Sequence, residues 1–110
     1  MRSWIVAGLM LLAGCAAQTG SSGSGSFDQA LRDRARIHTE LGSGYFAQGQ
    51  MAIALQEFNE AVNADPSYSL AYNGLGLVYS NLHEDNKAEA NFRRSIELEP
   101  DNPESHNNYG

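Results

Sequence analysis

The fold is decided by residues 35–68, ARIHTELGSGYFAQGQMAIALQEFNEAVNADPSY, and residues 69–102, SLAYNGLGLVYSNLHEDNKAEANFRRSIELEPDN. The two 34-residue stretches align without a gap. Six positions are identical, namely Leu41/Leu75, Gly42/Gly76, Tyr45/Tyr79, Ala54/Ala88, Phe58/Phe92 and Pro66/Pro100. Gly110 stands a further 34 residues after Gly76. We therefore expect two full repeats and the start of a third.

Each unit carries the pattern of two amphipathic helices. In the first half, His38, Leu41, Gly42 and Tyr45 recur at i, i+3, i+4 and i+7, which is one face of a helix. In the second half, small residues surround Phe58 at helical spacing, as close helix packing requires. The helices of each pair are expected to turn at Gly49 and at residues 83–86, and the second helices to end before Asp65-Pro66 and Glu99-Pro100.

This signature resembles the tetratricopeptide repeat, in which a large aromatic, Leu-Gly, Tyr, Ala, Phe, Ala and Pro recur in one 34-residue unit. The fourth position of the signature, usually Trp, is occupied by His38, Tyr72 and His106 in the successive units. The resemblance implies an all-α fold, a tetratricopeptide-repeat solenoid of antiparallel helix pairs. The domain would comprise residues 27–110, with repeat 1 at 35–68, repeat 2 at 69–102 and the start of a truncated repeat 3 at 103–110.

The N-terminus has the pattern of a bacterial lipoprotein signal peptide. Residues 1–2 supply a positive charge, and residues 4–13 form an uncharged, mostly apolar run that is too short to span a bilayer. Residues 12–15, LAGC, resemble the lipobox, so we expect removal of residues 1–14 and a diacylglycerol thioether on Cys15. A lone cysteine in an exported protein agrees with lipidation. The alternatives are an ordinary secretory leader with an incidental Cys15, or a leader retained as an anchor.

Residues 15–26 are expected to be the lipidated cysteine and a flexible tether, because they are small, polar and rich in Gly and Ser. Two or three acyl chains hold a protein on a membrane durably. Ala16, rather than Asp, follows Cys15. In Gram-negative lipoprotein sorting this implies the outer membrane, with the protein anchored on its periplasmic face.

Composition and spacing argue against several classes of function. A formal net charge of −6 provides no basic footprint for nucleic acid. The histidines, His38, His83 and His106, are dispersed and there is no second cysteine, so no metal site and no cofactor are expected. The carboxylates are expected on solvent-facing helix surfaces without an apolar pocket to raise a pKa. We therefore predict that the protein is not an enzyme.

The resemblance assigns partner binding to the first helices, whose face away from the core lines a concave groove in the family. It places there Arg36, Thr39, Ser43 and Phe46 from the first unit, Leu70, Asn73, Leu77 and Ser80 from the second, and Glu104 and Asn107 from the third. The apolar members suit the anchors of an extended or helical partner segment. Alternatively, they are scattered surface residues or contact the N-terminal helix. Some family members hold a peptide carboxylate with Lys, Arg and Asn here, but Arg36 is the single cation, so we do not expect a carboxylate clamp.

The lipobox, the tether and the repeats together resemble the type IV pilus biogenesis and stability lipoproteins, the PilF/PilW family of secretin pilotins. Local matches include ELGSGYFAQGQ at residues 40–50 and NNYG at residues 107–110. The resemblance implies binding of outer-membrane secretin subunits and promotion of their targeting and multimerisation. Two alternatives remain: an adaptor for other cell-envelope proteins such as peptidoglycan enzymes, or the N-terminal fragment of a larger enzyme.

Overall fold

The computed structural model describes residues 23–99, which form two pairs of α-helices. The first pair is α1 (Gly23–Ala47) and α2 (Met51–Ala64), and the second pair is α3 (Ser69–Asn81) and α4 (Asp85–Leu98). Each helix packs on its pair partner, α2 also packs on α3, and α1 lies beside α3. The all-α prediction is confirmed, and so are the helix ends expected at Asp65 and Glu99.

The first helix begins earlier than the sequence suggested. α1 starts at Gly23, inside residues 15–26 that were expected to be a tether. Gly and Ser have low helix propensity, but an established helix propagates at little cost where no proline or cap stops it. The predicted signal peptide, the Cys15 lipidation site and the third unit lie outside the described residues. Among residues 23–99, no helix combines the length and apolar character needed to cross a membrane.

The turns within the two pairs have the same construction. Gly49 has a φ of 76° and His83 a φ of 62°, which places both in the left-handed region that favours glycine. The next residue in each turn donates its backbone N–H back to the last turn of the preceding helix, from Gln50 to Tyr45 and from Glu84 to Tyr79, at 2.9 Å in both cases. The repeat period therefore extends to the backbone of the turns.

The core is centred on Phe58, which is 2% exposed. Its ring lies against Gly42 of α1 and Gly74 of α3, and a β-carbon built on Gly42 would be 2.8 Å from the ring. Phe92 contacts Gly76 in the same way. These close approaches confirm that the glycines of the repeat signature are packing residues.

Two signature positions of α1 differ from their partners in α3. Leu75 is 4% exposed because it packs on α2, but Leu41 is 45% exposed, since no described helix precedes α1. The expectation that Leu41 lies in the core is therefore wrong for this first helix. His38 is half-buried, with Nδ1 2.7 Å from Oε2 of Glu57, and its counterpart Tyr72 donates its hydroxyl to the Pro66 carbonyl at 2.8 Å.

Candidate protein-binding groove

A groove with a volume of about 510 Å³ lies between α1 and α3. One wall comes from α1 and the other from α3 and the residue before it. The lining residues are Arg36, Thr39, Glu40 and Ser43 on the first wall, and Tyr68, Leu70, Asn73, Gly74 and Leu77 on the second. The structure thus brings together six of the residues expected in the groove: Arg36, Thr39, Ser43, Leu70, Asn73 and Leu77.

Helical periodicity explains why the two walls match. The α1 members stand at positions 36, 39, 40 and 43, and the helical members of α3 stand 34 residues later. Offsets of 3, 4 and 7 residues keep side chains on one side of a helix. On α1 this side is turned away from the signature face that packs on α2, whereas Gly74 of α3 both lines the groove and contacts the Phe58 ring of α2. The repeat therefore produces a core face and a groove face on the same helix.

Two expected groove residues in the described part of the chain do not line the groove. Phe46 is half-buried against the core cluster of Phe58 and Leu75, and Ser80 is exposed at the end of α3. Position 46 is about 80° around the helix from Arg36 and lies at the end of α1, where the aromatic ring turns onto the core. The structure therefore places Phe46 against the core and outside the groove lining. Asn107 and Glu104 lie outside the described residues.

Three lining residues were not expected from the sequence: Glu40, Tyr68 and Gly74. Glu40 and Gly74 stand four residues after Arg36 and Leu70, so the helical period itself was a signal for both. Tyr68 precedes α3, and no periodic pattern reaches a residue outside a helix.

The polar groups of the groove are largely engaged with the protein itself. Nη1 of Arg36 lies 3.1 Å from Oε1 of Glu40, and the Thr39 hydroxyl donates to the Ala35 carbonyl at 2.8 Å. Asn73 is only 4% exposed. The groove wall is consequently organised by internal hydrogen bonds, and its exposed apolar surface is contributed by α3.

Tyr68 supplies an aromatic edge to the groove. Partial burial raises the pKa of its hydroxyl above 10.0, and the nearby Arg32 and Arg36 oppose this effect. The Arg32 guanidinium carbon lies 5.7 Å from the centre of the Tyr68 ring, within range of a cation–π interaction. The hydroxyl is thus neutral at physiological pH and can both donate and accept a hydrogen bond.

The described residues do not form a metal centre: no group of three or more His, Cys, Asp or Glu side chains among residues 23–99 could hold an ion. The His38–Glu57 pair lies between α1 and α2 and outside the groove lining. The arrangement of the groove suits recognition of a polypeptide through apolar contact and a few hydrogen bonds.

Family models match most of the described chain. The model described as "TPR repeat" matches residues 42–82, and the model described as "Tetratricopeptide repeat" matches residues 70–102. Both matches include residues 70–81 of α3, a helix that contributes to the core and to the groove.

Curated relatives share the same region. The chain is 30% identical over 66 residues to heat shock protein STI1 of Saccharomyces cerevisiae, covering 60% of this chain and 11% of that protein. It is 38% identical over 64 residues to DnaJ homolog subfamily C member 3 of Rattus norvegicus, covering 58% of this chain and 13% of that protein. It is 33% identical over 69 residues to a UDP-N-acetylglucosamine–peptide N-acetylglucosaminyltransferase of Giardia intestinalis, covering 63% of this chain and 5% of that protein. The chain therefore spans only a small part of the length of these relatives.

A solved structure matches this chain over about three quarters of its own length. The first TPR domain of Spaghetti (RPAP3), bound to the HSP90 peptide SRMEEVD, superposes with a TM-score of 0.64 at 28% identity, covering 78% of this chain and 76% of that one. The repeat spacing, the helix pairs and these matches agree. The chain is a tetratricopeptide-repeat protein.

Proposed function

We propose that this chain is a lipid-anchored scaffold of the outer membrane that serves type IV pilus biogenesis, binding secretin subunits through the α1–α3 groove. In this role it promotes the targeting and multimerisation of the subunits, and it acts by binding rather than by catalysis. The anchor is the diacylglycerol thioether on Cys15, which follows from the lipobox pattern of residues 12–15.

The observation that carries the binding role is the groove itself. Six residues chosen from the sequence line one continuous surface between two neighbouring helices. Leu70 is 36% exposed, and Leu77 follows it by seven residues, about 10.5 Å along the helix. Two apolar side chains spaced along one wall of a groove are typical anchors for a bound segment.

The relative of known structure supports a polypeptide ligand. The RPAP3 domain, with the same fold, holds the HSP90 peptide SRMEEVD. A protein segment in the groove of this chain is the corresponding proposal. The secretin itself is inferred from the resemblance of the lipobox, tether and repeats to pilus lipoproteins.

Capture of secretin subunits by the purified protein tests the role of the groove. The double variant Leu70→Asp and Leu77→Asp should lose capture, because it places two charges at the apolar anchors. The matched control, Ile53→Asp with Leu82→Asp, alters two other exposed apolar residues that do not line the groove and should retain capture. If both folded variants captured secretin subunits equally well, with unchanged helical circular dichroism, the groove would not be the binding site.

Deletion of the gene tests the pilus role in cells. Heat- and detergent-resistant secretin multimers and surface pili should both decrease, and a plasmid copy should restore them. A Cys15→Ser copy should move the protein out of the membrane fraction and restore neither. Unchanged multimers with altered peptidoglycan cleavage would instead favour an adaptor of peptidoglycan enzymes.

A further inference from the structure

We propose that Glu40 determines the charge preference of the groove, so that it accepts a neutral or basic extended segment and disfavours an acidic one or a free C-terminal carboxylate. This inference rests on the proposed binding role of the groove. It concerns the chemistry of the bound segment, and it holds for a secretin or for any other protein partner.

The geometry of the Arg36–Glu40 pair carries this proposal. Arg36 is the single cation among the described residues that line the groove, and its Nη1 atom lies 3.1 Å from Oε1 of Glu40. The Glu40 side chain is 66% exposed and that of Arg36 is 51% exposed. A partner carboxylate that approached Arg36 would therefore meet the Glu40 carboxylate, and like charges at such distances repel.

A second cation on α1 is engaged elsewhere. Arg32 lies on the preceding turn of α1, with Nη1 3.9 Å from Oδ2 of Asp65 and its guanidinium group over the Tyr68 ring. It does not line the groove. The net charge of the described lining residues is thus zero, and the formal charge of −6 on the whole chain repels acidic segments at longer range.

The spacing of Leu70 and Leu77 on the α3 wall indicates which extended conformation the bound segment adopts. Leu70 and Leu77 are about 10.5 Å apart along α3. In a polyproline II conformation, residues i and i+3 share one side of the chain and are about 9.3 Å apart. In a β-strand, side chains on one face recur about every 6.6 Å, which matches less well. Of the two extended conformations, polyproline II with apolar residues at i and i+3 is therefore the one that fits this wall better.

Two fluorescein-labelled, C-terminally amidated peptides test the proposal on the full chain. Both contain Leu-Pro-Pro-Leu, and the flanking residues are Lys in one and Glu in the other. Fluorescence anisotropy at low salt should give a dissociation constant that is about threefold lower for the Lys peptide, since an exposed charge contributes a small factor of this order. The difference should decrease at high salt, because ions screen exposed charges.

Glu40→Lys should remove or reverse the preference. The control is Glu89→Lys, which changes the net charge equally but lies on α4, where Glu89 forms an equivalent i, i+4 pair with Arg93 at 2.7 Å. This control should keep the preference for the Lys peptide. Circular dichroism establishes that both variants are folded, and the wild-type comparison requires no substitution.

Two results would overturn the proposal. One is tighter or equal binding of the Glu peptide by the wild-type chain. The other is absence of binding by either peptide while the chain still captures a secretin, because the groove would then not recognise such a segment. Loss of secretin capture with the peptide preference intact would count against the pilus role and leave the proposal for Glu40 supported.

Discussion

The ring of Phe58 lies directly against the backbone of Gly74, so that a β-carbon on residue 74 would overlap it. The two residues belong to different repeats, Phe58 to α2 and Gly74 to α3. The same ring contacts Gly42 of α1. One side chain therefore joins three helices.

Gly74→Ala should destabilise the protein by about 2 kcal/mol, since an added methyl group in a filled core forces neighbouring atoms apart. Gly44→Ala is the control, because nothing lies within 4 Å of a β-carbon at that helical position. Ala is the better helix former, so the control should stabilise the protein by about 0.5–1 kcal/mol. Urea unfolding followed by circular dichroism measures both. Similar effects at the two glycines would contradict the packing of Phe58.

Leu75→Ala should cost about 3 kcal/mol, because it leaves a cavity in the core. Leu41→Ala, at the equivalent position of the first repeat, should cost well under about 1 kcal/mol, as surface substitutions usually do. Leu75 is 4% exposed, whereas Leu41 is 45% exposed. A large loss from Leu41→Ala, measured by the same unfolding experiment, would indicate that residues outside the described range cover α1.

Ser69→Ala should stabilise the protein by about 1 kcal/mol, because it removes a buried hydroxyl that has no hydrogen-bond partner among residues 23–99. Ala35 already occupies the equivalent position of the first repeat and is fully buried. Ser95→Ala provides the contrast: its hydroxyl donates to the Ser69 carbonyl at 2.9 Å, and its loss should cost about 1 kcal/mol. Thermal unfolding should give shifts of opposite sign, and shifts of the same sign would refute this assignment.

His83→Gly should stabilise the turn between α3 and α4 by about 1 kcal/mol. His83 has a φ of 62°, and this left-handed conformation is unfavourable for any L-residue that has a β-carbon. Gly49→Ala, at the matching place in the first turn, should cost about 1 kcal/mol for the same reason. Chemical unfolding of the two variants checks both signs. A destabilising His83→Gly substitution would show that the His83 side chain makes a contribution larger than the backbone strain.

The sequence predicted the helix pairs and most of the groove, because both depend on the same helical period. The spacing that places Gly42 and Leu75 on a core face also places Arg36 and Leu77 on the opposite one. Features set by tertiary neighbours were not predictable in this way. Leu41 is exposed because no described helix covers it, and Phe46 turns onto the core at the end of its helix.

Tyr68 illustrates a second kind of feature that the sequence pattern did not predict. It lies between α2 and α3, where backbone hydrogen bonds and the Asp65 side chain fix the chain path: the Ser67 N–H and hydroxyl both donate to Asp65 Oδ1, at 3.0 and 2.7 Å. Such local geometry follows from side-chain capping rather than from periodicity. Its entry into the groove is therefore visible only in three dimensions.

The position of the Phe58 ring also bears on the size of the binding surface. Gly42 and Gly74, which the ring contacts, belong to α1 and α3, the helices that form the two walls of the groove. The ring is thus a spacer beneath the groove, and its thickness sets how far apart the walls stand. Phe58 is not among the residues that line the groove, yet its ring holds the two walls apart, so groove width and core packing are coupled through a single aromatic side chain.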